Sequence, residues 1–169
     1  MGPGARGALT VALAGVLGVG VASAGLPERG TLVPGTSLGG VRLGMSKADV
    51  ERVWGERFGR CRPTDCRRET WYFTYRAFAP EGAGVVFERG RVLRAFTLWQ
   101  PSGWRTTRGL ALGADAGRIA PVHGPLTRRD CAGYYALVVR SGRATTAFYV
   151  RNDELWGFGL TRTGESPCV

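Results

Sequence analysis

The sequence predicts an α+β fold of two tandem repeats, each a short helix followed by about three antiparallel strands, with both helices on one face of the sheet. Two observations support this fold class. A motif that begins at Gly40 recurs at Gly109, a shift of 109 − 40 = 69, and strand-like segments of alternating polarity follow each copy. We therefore expect repeat 1 at residues 40–99, a linker at 100–108 and repeat 2 at 109–169, with the repeats packed as one domain.

The first 24 residues have the pattern of a secretory signal peptide. Arg6 supplies the positive start, residues 8–21 are an uncharged run rich in Ala, Leu, Val and Gly, and an Ala-Ser-Ala motif ends at Ala24. The run is short for a bilayer span. We expect cleavage after Ala24 and a secreted or cell-envelope protein, with retention as an uncleaved anchor as the alternative. Residues 25–39 form a Gly- and Pro-rich lead-in.

The repeated motif predicts a helix at the start of each repeat. In the first copy, the Ser46 hydroxyl is placed to cap the helix and Asp49 to accept in return, as in a capping box. In the second copy, Asp115 takes the capping position. Pro121 lacks a backbone N–H and clashes with the preceding turn, so the second helix is expected to be shorter or bent.

Strands follow each predicted helix. Residues 71–76 alternate, which puts Tyr72 and Arg76 on one face and Tyr75 on the other. Hairpins turn at Gly90 and at Asn152, at matching places in the two copies. Five aromatic residues are the main core candidates: Trp71, Phe73, Phe87, Phe96 and Phe158.

Four cysteines in an exported chain favour two disulfides over a metal site. Cys61 and Cys66 enclose a turn-rich loop that a local bridge closes. Cys131 stands in copy two nearly where Cys61 stands in copy one, so its natural partner is Cys168. Four cysteines allow three pairings, and a Cys61–Cys131 bridge across the repeats stays open.

A formal net charge of +10 is compatible with nucleic-acid binding, but the choice of arginine over lysine argues against that function. Of 23 basic residues only Lys47 is lysine, which indicates an arginine bias rather than selection for phosphate contacts. The arginines are dispersed, and an export signal removes the chain from the genome. We expect no nucleic-acid partner. A basic surface favours an anionic wall polymer, membrane headgroups or an acidic protein.

Short motifs used twice carry a resemblance to a known family. Leu43-Gly44-Met45 and Trp54-Gly55, followed by an aromatic strand and a hairpin, resemble the tandem repeats of the β-lactamase inhibitor proteins. One unit is also similar to the small lipoprotein of the outer-membrane barrel assembly machinery. The resemblance implies a non-catalytic protein that binds through its exposed sheet face and loops. It assigns no target and no inhibitory residues.

The sequence indicates neither an enzyme nor a cofactor protein. His123 is the single imidazole, which excludes a Cys/His metal set, and it is expected to pack at a helix end. No Gly-x-Ser-x-Gly motif and no phosphate loop are present. We predict no catalytic residues, no metal and no cofactor.

Tyr, Trp and Arg dominate binding hot spots, so residues of these types outside the predicted core face are the contact candidates. Gly157 and Gly159 are expected to leave a shallow depression on the outer face of repeat 2. The candidate partner-binding residues are Tyr72, Arg76, Arg91, Trp99, Trp104 and Arg105.

Together these features predict a secreted, monomeric, non-catalytic module that binds another extracellular or envelope protein. The alternative is a structural or assembly factor of the cell envelope that binds wall polymer or a membrane surface. The sequence does not identify the partner.

Overall fold

The computed structural model describes residues 1–2, 25–76 and 81–169; the predicted cleavage site and apolar run, within residues 3–24, lie outside the described ranges. Two helices are present there, α1 Lys47–Trp54 and α2 Ile119–His123. The strands are β1 Thr31–Val33, β2 Ser37–Leu38, β3 Gly59–Cys61, β4 Thr70–Arg76, β5 Glu81–Glu88, β6 Arg91–Leu98, β7 Arg105–Thr106, β8 Thr127–Cys131, β9 Tyr134–Ser141, β10 Ala144–Arg151 and β11 Glu154–Arg162.

Eight of these strands form one antiparallel sheet, in the order β3-β4-β5-β6-β11-β10-β9-β8. The first four are a meander in chain order, and the last four are a second meander that runs inward from the opposite edge. They join where β6 pairs with β11, from Leu98↔Gly157 to Arg94↔Thr161. A helical segment precedes each meander in the chain.

The predicted α+β fold class is wrong, because the structure is mostly β. Strands make up 47% of the described residues and helices 11%. Each meander has four strands rather than about three. The sequence missed the outermost strands, β3 and β8, because their residues are mostly exposed and show no apolar alternation.

The capping box of α1 forms as its sequence indicates. The backbone N–H of Asp49 donates to the Ser46 hydroxyl over 3.2 Å, and the N–H of Ser46 donates to the Asp49 carboxylate over 3.0 Å. Hydrogen bonds from Ser46 and then from Arg52 lower the pKa of Asp49 to about 2. The helix buries Val50 and Trp54 against the sheet.

The second helical segment is shorter. Asp115 accepts from the backbone N–H of Gly117 over 2.8 Å and starts a 3-10 turn, Ala116–Arg118. Helix α2 then spans five residues. Pro121 lies in the middle of α2, where it supplies no hydrogen-bond donor, and the helix stays short.

A second sheet, in the order β2-β1-β7, joins the lead-in to the linker, two segments that the sequence indicated only as irregular chain. Its strands β1 and β7 run parallel, with Thr31 opposite Arg105. The sheet is tied to one face of the large sheet, since the backbone N–H of Gly35 donates to the Thr146 hydroxyl over 2.7 Å.

We call that side, which also carries the helices, the inner face. Its largest buried side chains include Trp54, packed edge-on against Phe73 at 5.2 Å and against Trp104 at 5.5 Å between ring centroids. Four of the five core candidates are buried there: Trp71, Phe73, Phe87 and Phe158.

Both predicted disulfides are bonded, Cys61–Cys66 and Cys131–Cys168, with Cα–Cα distances of 5.8 Å and 5.7 Å. The alternative bridge across the repeats does not form. The first bridge closes the loop after β3, and the second ties the end of β8 to the C-terminal segment. Two disulfides are compatible with an oxidising, extracytoplasmic compartment. No helix within the described ranges is both long enough and apolar enough to cross a membrane.

Candidate binding groove on the outer sheet face

The opposite side of the large sheet, the outer face, carries a second apolar cluster. It is aromatic at its centre, with Phe96, Tyr149 and Trp156 buried and Tyr72, Tyr75 and Tyr134 partly buried around them. Phe96 is therefore not part of the inner core that the sequence predicted. Val86 pairs with Arg94 but Phe87 pairs with Val92, so the pairing of β5 with β6 shifts by one residue of β6. Such a shift reverses which of the following β6 side chains, Phe96 among them, point outward.

A β-bulge in β4 places two tyrosines side by side. Thr74 has a φ of 50°, and the pairing of β4 with β5 is irregular between Phe73 and Arg76. The bulge turns Tyr75 to the outer face beside Tyr72, with ring centroids 4.6 Å apart. The predicted position of Tyr75 on the opposite face from Tyr72 is wrong for this reason.

The depression expected at Gly157 and Gly159 does not form, because the chain fills it. A side chain at Gly159 would meet the ring and hydroxyl of Tyr149, and one at Gly157 would meet the backbone carbonyl of Thr97 and the edge of the Tyr149 ring. Gly84 admits the ring of Phe96 in the same way. These glycines let bulky side chains lie flat on the sheet, and they form part of the aromatic floor.

The last seven residues, 163–169, cross the outer face, and we call them the C-terminal strap. Besides its disulfide and the Glu165 carboxylate, which pairs with Arg68, the strap is held by its main-chain oxygens. Tyr149 donates to the Pro167 carbonyl over 2.8 Å and Tyr134 to the Val169 carbonyl over 2.9 Å. One guanidinium, that of Arg94, donates to the carbonyls of Cys168, over 2.6 Å, and Ser166.

Beside the strap lies an open groove of about 760 Å³, within the range of roughly 300–1,000 Å³ usual for ligand sites. Its walls come from the two meanders, the Cys61–Cys66 loop and the strap, and we call it the outer groove. Its charged and aromatic lining comes from Arg67, Arg68, Tyr72, Tyr75, Arg94, Phe96, Tyr134, Arg151, Trp156 and Glu165.

Four arginines and one glutamate give the outer groove a positive balance. Arg68 is neutralised internally, since it donates to Glu165 over 2.7 Å, and this bond lowers the pKa of the Glu165 carboxyl. Arg67 is exposed and has no ion pair among the described residues. Arg151 lies 5.3 Å above the ring of Trp156 and has no carboxylate partner within the same ranges. Two cations are thus available to a ligand.

The six contact candidates do not form one surface. Tyr72 lies in the outer groove, and Arg76 is exposed at the end of the same strand. Trp99 is 36% exposed at the end of β6 and lines a smaller hollow with Arg151 and Trp156, two residues that also line the outer groove. Tyr72 and Trp99 therefore lie in or beside the outer groove, and Arg76 does not line it.

The other three lie elsewhere. Trp104 is fully buried, with its indole N–H donating to the Pro27 carbonyl over 2.8 Å, so its assignment to a contact surface is wrong. An indole of this size buries about 150–250 Å², worth roughly 5 kcal/mol, which explains why it packs inward. Arg105 follows it in the small sheet, on the inner side. Arg91 is at the far end of β6 from Trp99, roughly 25 Å away at ~3.3 Å per residue.

Several residues of the outer groove were not predicted from the sequence. Arg94 and Trp156 belong to strands in which a bulge reverses the alternation of side chains. Tyr134 begins a strand to which the sequence assigned no face, and Arg67 lies in the loop that follows Cys66. The strap gave no signal beyond Cys168, because its last four residues contact the outer face through main-chain oxygens.

The single histidine lies away from the outer groove. His123 packs at the end of α2 against Phe148 on the inner face, with ring centroids 4.6 Å apart. Its buried Nε2 has no hydrogen-bond partner within the described ranges. Burial, and then the charge of Arg108, lower the pKa of the imidazole.

The comparisons with known proteins leave the family open. No protein-family profile matches the chain, and no curated protein is similar to it. A DUF4309 family protein (YjgB) from Bacillus subtilis is 14% identical with a TM-score of 0.49, over 70% of this chain and 78% of that one. An extracellular protein containing an SCP domain, from Bacillus anthracis, is 11% identical with a TM-score of 0.49, over 72% of this chain and 44% of that one. Neither likeness is strong enough to assign a function.

Proposed function

We propose that the protein is a secreted, non-catalytic binding module that holds another extracytoplasmic protein in the outer groove. The observation that carries the proposal is the groove itself, an aromatic floor rimmed by arginines on an open sheet face. Tyr, Trp and Arg are the side chains that contribute most to protein interfaces.

The chemistry of the groove residues supports binding rather than turnover. Its titratable side chains are arginines, tyrosines and one glutamate that is already paired with Arg68. Burial raises the pKa of Tyr134 and, together with the neighbouring Tyr72, that of Tyr75, which keeps both phenols protonated as hydrogen-bond donors. The imidazole of His123 packs on the inner side of the sheet.

The test is affinity capture from the extracytoplasmic fraction of the source organism, with the protein from Gly25 onward immobilised. We expect a protein that is retained by the wild type and lost when Tyr72 and Tyr75 are both replaced by Ala. Arg42→Glu, an exposed change outside the outer groove, is the matched control and should retain the partner. Capture that survives the double variant would reject this face, provided that both variants show wild-type circular dichroism.

Secretion by a cleaved signal peptide is part of the same proposal. Mass spectrometry of the exported protein should give a mature chain that begins at Gly25. A chain that keeps residues 1–24 would contradict cleavage and favour the anchored form.

A second candidate function is a cell-envelope structural or assembly factor, and the net charge of +10 favours it. Such a protein would be retained by purified envelope and released by salt, because the screening length falls to about 3 Å at 1 M ionic strength and attraction between exposed charges further apart is lost. Retention that resists 1 M salt but is lost with the Tyr72 and Tyr75 double variant would instead support the groove.

A further inference from the structure

The C-terminal strap is a segment of the chain that the outer face holds through main-chain oxygens. Carbonyls of four consecutive residues, Ser166 to Val169, accept hydrogen bonds from Arg94, Tyr149 and Tyr134. These four contacts are made with the backbone of residues 166–169 and not with their side chains. An extended segment of any sequence could present carbonyls in the same way.

The open part of the outer groove, next to the strap, has the same kinds of donor. Tyr72 and Tyr75 stand side by side there, and neither hydroxyl has a hydrogen-bond partner among the described residues. Tyr72 also meets Phe96 edge-on, at 6.4 Å between ring centroids, so an apolar surface lies beside the hydroxyls. This combination suits an extended chain, which offers carbonyls and side chains in alternation.

The charges specify the ligand further. Arg67 and Arg151 both line the groove, and within the described ranges neither forms an ion pair, although Glu154 is the cross-strand neighbour of Arg151. The one glutamate of the groove is already occupied by Arg68. An acidic segment would supply the missing counter-charges, and forked guanidinium groups bind carboxylates with two parallel hydrogen bonds.

We infer that the outer groove binds an extended acidic peptide segment of the partner, laid beside the C-terminal strap. The inference rests on the proposed function and names the ligand of that site. Tyr72 and Tyr75 donate to the carbonyls of the segment, its apolar side chains lie against Phe96 and Trp156, and its carboxylates pair with Arg67 and Arg151.

The probe is a displayed library of random linear heptapeptides, matched in length to the strap, selected on the immobilised protein. Recovered peptides are then fluorescein-labelled and measured by fluorescence polarisation. We expect sequences enriched in Asp and Glu beside apolar residues. Arg67→Glu combined with Arg151→Glu should weaken their binding at least tenfold, while Arg42→Glu should leave it unchanged.

Tyr72→Phe combined with Tyr75→Phe separates backbone recognition from charge, since it removes two hydroxyls and keeps the rings. This variant should weaken binding several-fold without changing the preference for acidic sequences. Equal affinity of the wild type and the phenylalanine variant would overturn carbonyl recognition.

Two other outcomes would overturn the inference. If no linear peptide binds while the captured folded partner still does, the proposed function stands and the peptide ligand is wrong. If heparin displaces the selected peptides at equal charge concentration, and neutral-salt screening abolishes all binding, the groove responds to polyanions in general. Failure of both the library and the affinity capture would reject the binding function itself.

Discussion

The disulfide of the C-terminal strap is expected to stabilise the fold more than the disulfide of the first repeat. The two bridges span very different loops, since Cys131–Cys168 has a sequence separation of 37 and Cys61–Cys66 a separation of 5. Cross-linking removes loop entropy from the unfolded chain, and the loss grows with the logarithm of loop length.

The loop lengths give the size of the effect. With an entropy loss of about 2.1 + 1.5R ln n cal/mol/K, the longer bridge contributes about 4 kcal/mol at 25 °C and the shorter one about 2 kcal/mol. Replacing both cysteines of each pair by serine should therefore lower the free energy of unfolding by amounts that differ by about 2 kcal/mol.

Urea unfolding followed by tryptophan fluorescence measures both losses. The Cys131 and Cys168 double variant should have the lower midpoint, with a slope that rises because its unfolded chain is less compact. Equal losses, or a larger loss from the Cys61–Cys66 pair, would refute the entropic reasoning.

Three other perturbations test the packing and the electrostatics. Gly159→Ala places a methyl group against the Tyr149 hydroxyl and should destabilise the fold by about 1–3 kcal/mol in urea unfolding. Gly59→Ala, at a site with no neighbour within 4 Å, is its control and should cost less than 1 kcal/mol. The pKa of Asp49, about 2 in the fold against an ordinary 3.8, predicts stability that is complete above about pH 4 and lost as the pH falls towards 2. In Asp49→Asn, the urea midpoint of unfolding should depend less on pH over that window. If the pH dependence of the midpoint is the same as in the wild type, the Asp49 carboxylate is not its source. The lowered pKa of His123 means that the unfolded chain binds a proton more readily, so stability should fall as the pH drops below about 6.5, and His123→Phe should remove that loss.

Local features of this chain were predictable from its sequence. The Ser46 and Asp49 pair acts within one helical turn, so its spacing alone indicates the capping box. Hairpins turning at Gly90 and Asn152 were equally local, and both positions have positive φ angles. The cysteine pairs followed from a short loop and from matching positions in the two copies.

Features that depend on strand register were not predictable. Aligning the two hairpins pairs Phe96 with Phe158, yet in the sheet Phe96 lies opposite Gly159 and Phe158 opposite Thr97. A one-residue slip of this kind sends the two rings to opposite faces. The bulge at Thr74 moves Tyr75 outward by the same rule, and no local sequence signal marks it.

The fold class was missed for a related reason. Exposed edge strands such as Thr127–Cys131 carry mostly charged and polar residues, so their only strand signal is the backbone pairing itself. The small sheet has strands of two or three residues, too short for any periodicity. The duplication and its likeness to the inhibitor proteins stay predictions.

The most direct test of the account is to follow the indole N–H signals of the five tryptophans by NMR while the captured partner is added. Trp156 lines the outer groove, whereas the indole N–H groups of Trp54 and Trp104 donate to the carbonyls of Gly39 and Pro27 on the inner side. We expect the Trp156 signal to shift and the Trp54 and Trp104 signals to stay in place. Shifts of Trp54 and Trp104 with an unchanged Trp156 would contradict it.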